Sequence, residues 1–198
     1  MLETWKNLKL QLEEIHNRYL PHEVCTEEEL LDFETKTQII LPTDYKECCQ
    51  VFGSVAFGEY LQIRCPNFEF SQFWIESLKS SADFAFGRWE INMRDSNIRN
   101  AGRMKNLFDS ALVFGISDTL LVLFWDLRTY TETDKNYDIY LARAEDFDGV
   151  YLVGRDFTKF VFDFCLGTKS HEILPEYMHP SLQSLQPTFT PAPRFEVI

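Results

Sequence analysis

Two apolar runs constrain this chain more than any other feature. Ala111–Ile116 (ALVFGI) and Leu120–Asp126 (LLVLFWD) are each strand-length, and Ser117-Asp118 supplies the turn chemistry between them. Neither run alternates apolar with polar residues, as a strand with one face in water would. They predict neighbouring strands buried on both faces, or on one face of a strongly packed sheet. Tyr137–Arg143 (YDIYLAR) and Val150–Val153 continue the sheet, with Asp126–Asn136 (DLRTYTETDKN) as an exposed loop and Glu145–Gly149 as a turn.

Upstream, the apolar period is helical. Trp5, Leu8, Leu12, Ile15 and Tyr19 form one stripe, and Pro21 ends it. Thr26 and Glu29 make a capping box that opens a second helix, with Leu30 and Phe33 on its apolar face. Pro42 suits the first turn of a third helix, whose stripe is Tyr45, Cys48, Cys49 and Phe52 and whose stop is Gly53. Ala56–Arg64 is expected to hold a short strand, and Phe70–Lys79 has the apolar spacing of a helix. Glu90–Leu107 is polar and locally basic, which fits a helix or a long connection. Asp156 caps a final helix carrying Phe157, Phe160, Val161, Phe164 and Cys165. The last 24 residues hold five of the eight prolines together with several large apolar residues, so this tail is expected to lie extended along the domain.

Charge excludes whole classes of function. The 198 residues carry 31 acidic and 19 basic side chains, a formal net charge of −12. A duplex nucleic acid or an anionic membrane surface would require a basic face, so neither is an expected partner; a basic macromolecule is. No apolar run approaches the roughly 18 residues of a membrane span. The five cysteines are odd in number and lack C-x-x-C spacing, which reads as reduced, mostly buried thiols of a cytoplasmic protein.

Catalytic signatures fail on inspection. Gly53-x4-Gly58 continues with Glu59-Tyr60, where a phosphate loop needs Lys and Ser/Thr. Gly115-Ile-Ser117-Asp-Thr119 joins two strands, whereas a nucleophile elbow joins strand to helix. His171-Glu172 is followed by Pro175 where a zinc protease needs its second histidine. The aspartates at 134, 138, 146 and 148 lack the glycine and glutamate of a calcium loop. No catalytic residue, metal ligand or cofactor is expected.

The runs Thr26-Glu-Glu-Glu-Leu-Leu-Asp-Phe-Glu34, Ile40-Leu41-Pro42-x-Asp44-Tyr45-Lys46 and Phe52-Gly53, then Leu112-Val-Phe-Gly115 and Asp156-Phe157, resemble the pattern of the SMI1/KNR4 (SUKH) superfamily. The string LPxDYK is the most specific part. The turn Gly53-Ser54-Val55-Ala56-Phe57-Gly58 departs from the softer, glycine- or asparagine-rich turn usual there. The resemblance implies an α+β fold with helices packed on one mixed or antiparallel sheet over residues 21–167. Residues 1–20 would be a helical extension and 168–198 a proline-rich tail packed on the domain.

The resemblance also implies a non-enzymatic binding role. Bacterial members are similar to immunity proteins that bind and neutralise a cognate toxin, in many cases a basic nuclease domain. Fungal members are regulatory scaffolds, which leaves a protein-interaction module unrelated to a toxin as the alternative. Two zones offer negative charge: residues 1–47, with eleven acids against five bases, and residues 126–148, with seven against three. The second combines a loop between strands with aromatic anchors. Trp125, Asp126, Tyr130, Glu132, Asp134, Tyr137 and Asp138 are its candidate partner-binding residues.

Overall fold

The computed structural model describes residues 2–16, 23–58, 60–90, 106–117, 119–145, 147, 149–180 and 188–192. Several expectations lie outside the described residues: Tyr19 and Pro21, Asp118, the basic segment 91–105, Asp146 and Asp148, and the tail at 181–187 and 193–198.

Among the described residues seven antiparallel strands form one sheet: β1 (Val55–Phe57), β2 (Leu61–Ile63), β3 (Ala111–Ile116), β4 (Leu121–Asp126), β5 (Asp138–Arg143), β6 (Val150–Gly154) and β7 (Phe189–Pro191). Their order is β6-β5-β4-β3-β2-β1-β7. Every pairing is antiparallel, so the sheet is not mixed. The stretch Ala56–Arg64, expected to hold a short strand, belongs to a hairpin of two, β1 and β2. Gly58 with φ of 61° belongs to the turn, in a left-handed conformation that suits glycine.

β3 and β4 are buried along their whole lengths because helices cover both faces of the sheet. On one face lie α1 (Leu2–His16), α2 (Glu27–Thr37), α3 (Thr43–Phe52) and α5 (Phe157–Lys159); α5 runs on as a π-helix over Phe160–Cys165. The long helix α4 (Phe68–Glu90) covers the other face. Alternation sorts the strand residues between them. Leu121, Leu123 and Trp125 face the first layer, while Val122 and Phe124 meet Phe108, Leu78 and their neighbours in the second.

A bulge between Val113 and Gly115 interrupts the β3–β4 register. The Val113 N–H donates to Ser71 Oγ of α4 at 2.9 Å, which ties this helix to the sheet. Gly115 lies so close to β2 that a Cβ would meet Gln62 O at 2.7 Å.

Local signals explain the helix ends. Thr26 caps α2: Glu29 N–H donates to Thr26 Oγ1 at 3.2 Å, and Thr26 N–H donates to Glu29 Oε2 at 2.8 Å. Gly53 ends α3 with φ of 66°, and a Cβ there would stand 1.9 Å from Glu23 O, so only glycine allows the chain to cross at this point. The helix opened by Asp156 departs from the α-helical expectation, since Leu166 N–H reaches back to Val161 O, five residues away, and it is not the final one, since a short helix follows at Ser170–Ile173.

Rings fill the first layer. Trp125 stacks on Phe114 with centroids 4.0 Å apart, and Tyr45 meets Trp125 edge-on at 4.8 Å. Trp5 of α1 contacts Phe52 and Phe157, while Leu174, Met178 and Phe189 of the C-terminal region join the same buried cluster. The helix and the tail flanking the central segment therefore share its core, and β7 adds a strand beside β1.

One cysteine expectation is overturned. Cys25 and Cys65 form a disulfide, while Cys48, Cys49 and Cys165 are free and buried. The bridge joins the entry to α2 with the exit from β2, 40 residues apart in sequence. Spacing could not reveal it, because the proximity comes from the crossing at Gly53. Burial pushes the Cys49 thiol up to about 12, against a hydrogen bond with Tyr45.

Candidate functional site

The loop between β4 and β5 begins where the sheet's packing stops. Asp126, the last residue of β4, accepts hydrogen bonds from Arg128 N–H at 3.1 Å, Arg128 Nε at 2.8 Å and Ser110 Oγ at 3.0 Å. These bonds cap a 3-10 turn over Leu127–Thr129. Burial works to raise the Asp126 carboxyl, but the bonds from Arg128 and Ser110 outweigh it and leave the group below its ordinary value.

Arg155, just beyond β6, gathers the rest of the loop. Its Nε donates to Asp134 Oδ2 at 2.6 Å and its Nη1 to Asp138 Oδ1 at 2.9 Å. Nη2 donates to Thr129 O at 2.9 Å, and to Asp134 Oδ1 and Asn136 O at 3.1 Å. Thr131 Oγ1 adds a bond to Asp134 Oδ1 at 2.6 Å. The Arg155 guanidinium, followed by Thr131, holds the Asp134 carboxyl far below the usual carboxylate range. Asp134 in turn raises Arg155, so this pair keeps its charges over all ordinary conditions.

The same loop leans on the α2–α3 connection. Tyr137 is buried and donates its hydroxyl proton to Ile40 O at 2.8 Å; burial pushes this phenol up to about 12. Tyr130 packs on Tyr137 with centroids 5.1 Å apart. Desolvation first, and then the charges of Glu132, Asp134 and Glu34, raise the Tyr130 hydroxyl. Glu34 itself accepts from Leu41 N–H and from Lys46 Nζ, which fixes the connection from below. Ile40 and Leu31 are exposed on this side. The two acidic zones distinguished in the sequence therefore meet along one border.

The candidate residues separate into three roles. Trp125 is a core residue, 1% exposed, sandwiched by Phe114 and Tyr45, and it offers no open surface to a partner. Asp126 and Tyr137 are likewise buried and support the loop from behind. Asp134 and Asp138 lie at the loop surface, but Arg155 engages both. Tyr130 is half-buried at the rim, and Glu132 is exposed with no hydrogen-bond or ion-pair partner among the described residues. Arg155 is the residue that sequence reasoning missed: it lies outside the acidic segment, and only the β5–β6 pairing brings it to the loop.

The architecture is that of an α+β protein whose sheet presents a pinned, polar loop. Across residues 24–163 the chain matches the model of the SMI1 / KNR4 family (SUKH-1), and it belongs to that family. The family is generally a non-enzymatic domain. No curated protein and no solved structure matches the chain. Among the described residues no helix is long and apolar enough to cross a membrane.

Proposed function

We propose that this protein is an immunity-type inhibitor, which binds a cognate toxin, a basic nuclease domain, and neutralises it without chemistry of its own. Family membership over residues 24–163 carries the reading, since a protein-interaction role is what that membership suggests. The net charge of −12 supports a basic partner. An acidic inhibitor meeting a basic enzyme gains steered, fast association and can cover the groove that would hold phosphates.

The surface proposed for contact is the border described above. Tyr130 and Glu132 form its outward edge, with Ile40 beside them. Asp134 and Asp138 add negative potential while Arg155 fixes their positions. Trp125, Asp126 and Tyr137 act behind this surface by holding its shape. A loop ordered before binding loses less entropy on association than a free one.

The test is co-expression with the toxin encoded beside this gene. Growth is rescued, and the purified complex weakens as salt rises. Glu132→Lys slows association while leaving the fold unchanged. Failure of rescue with every adjacent secreted protein would overturn the toxin assignment. An unchanged on-rate for Glu132→Lys would remove this loop from the contact surface.

A further inference from the structure

Cys25, Cys49 and Cys65 come from three different elements: the segment before the α2 cap, the body of α3, and the turn after β2. Their sulfurs all lie within 4.8 Å of one another. The backbone around them is fixed. Cys25 N–H donates to Cys49 O at 3.0 Å, and Cys65 N–H donates to Ser54 Oγ at 2.9 Å. Gly53 permits the close crossing of residue 23 that lays Cys25 against α3. Cys25 and Cys49 are buried, whereas Cys65 is half-buried and opens the cluster toward solvent.

We propose that, once the Cys25–Cys65 disulfide is reduced, these three cysteines form a three-sulfur site for a soft monovalent d10 cation of the Cu(I) class. Metal–sulfur bonds of about 2.3 Å place three sulfurs around one ion about 4 Å apart, within the spread seen here. No histidine or carboxylate joins the cluster among the described residues. The donor set is therefore all sulfur and three-coordinate. Structural zinc takes four ligands, whereas soft thiolate donors favour Cu(I).

The chemistry balances in two steps. A dithiol delivers two electrons and two protons to the Cys25–Cys65 bond and leaves as its own disulfide. The cation then bonds to three sulfurs, and three protons are released. Disulfide and metal site share two sulfurs, so each excludes the other. Either one ties α2's entry to the end of β2; the ion would add α3.

The test uses the full chain, reduced without oxygen and freed of reductant, titrated with Cu(I) against a chromogenic chelator. One equivalent binds. Affinity falls in Cys49→Ser and Cys65→Ser by more than the roughly 10–100-fold that loss of a supporting residue costs. Cys48→Ser binds as wild type does, because Cys48 is buried outside the cluster. Circular dichroism checks each fold, and Cys65→Ser, at a half-exposed position, keeps the test valid if Cys49→Ser does not fold. The proposal is overturned if the reduced chain does not compete for the ion. It is overturned equally if the third sulfur makes no difference, or if Cys48→Ser loses as much affinity as Cys49→Ser.

Discussion

Within a few residues, from Trp125 through Asp126 to Tyr137, the chain passes from a ring stack into a loop gathered round one guanidinium. The stack is held by burial: Trp125 lies face to face on Phe114, and Tyr45 meets both rings edge on. The loop is held by charge and hydrogen bonds at the surface, and its organiser, Arg155, comes from another connection. The contrast teaches that the sheet can stay folded while the loop is loosened. Core and loop can therefore be perturbed separately.

The largest effect is expected at the stack. Trp125→Ala should cost about 3–5 kcal/mol, the range for large-to-alanine changes at closed sites, and the loop should be lost along with the sheet. Urea unfolding measures it. Trp125→Phe should cost far less, because a ring still fills the site and the indole N–H has no partner among the described residues. Reducing the Cys25–Cys65 bridge comes next. Its closure of 40 residues should contribute roughly 2–4 kcal/mol, read from the same urea curves with and without reductant.

Alkali sharpens the comparison from the other side. Burial raises Tyr45 and Tyr60 above the ordinary phenol value, and likewise the thiols of Cys48, Cys49 and Cys165. For groups raised in the folded state, the stability they contribute is complete below the unfolded values, about 8.5 for thiols and 10 for phenols. It is lost as pH rises beyond them. The melting temperature should fall above pH of about 9, through the core. The Arg155 pair stays fully charged there and should not contribute.

Legibility in the sequence followed the reach of each interaction. The capping box of α2 spans three residues, and the unbroken apolar runs of β3 and β4 reflect two covered faces, so both could be read directly. The hairpin within 56–64 was hidden because its two strands are only three residues each, too short for a period to show. Trp125 has the ring of a surface anchor, but its phase with Leu121 and Leu123 points inward. Arg155 and the Cys25–Cys65 bridge left no local trace. The first depends on the register of β6 against β5, the second on a crossing of two chain segments.

The smallest effect on stability, and the most informative about the loop, is expected from Arg155→Met. Asp134 is depressed in the folded chain, so its contribution is complete above the ordinary carboxylate value of about 3.9. It is lost only as pH falls through the lower folded value. Carbon-detected NMR should show the wild-type Asp134 carboxylate still ionised where ordinary carboxylates have protonated. In Arg155→Met it should titrate near 4, with faster amide exchange across 129–138 and none added in β4. Thr131 and the Asn136 N–H also bond to this carboxylate. If Asp134 stayed depressed in the variant, those two would be its holders, and the guanidinium would be a passenger on a loop that orders itself. If β4 exchanged faster as well, loop and stack would form one cooperative unit, and the separation of loop from core would fail.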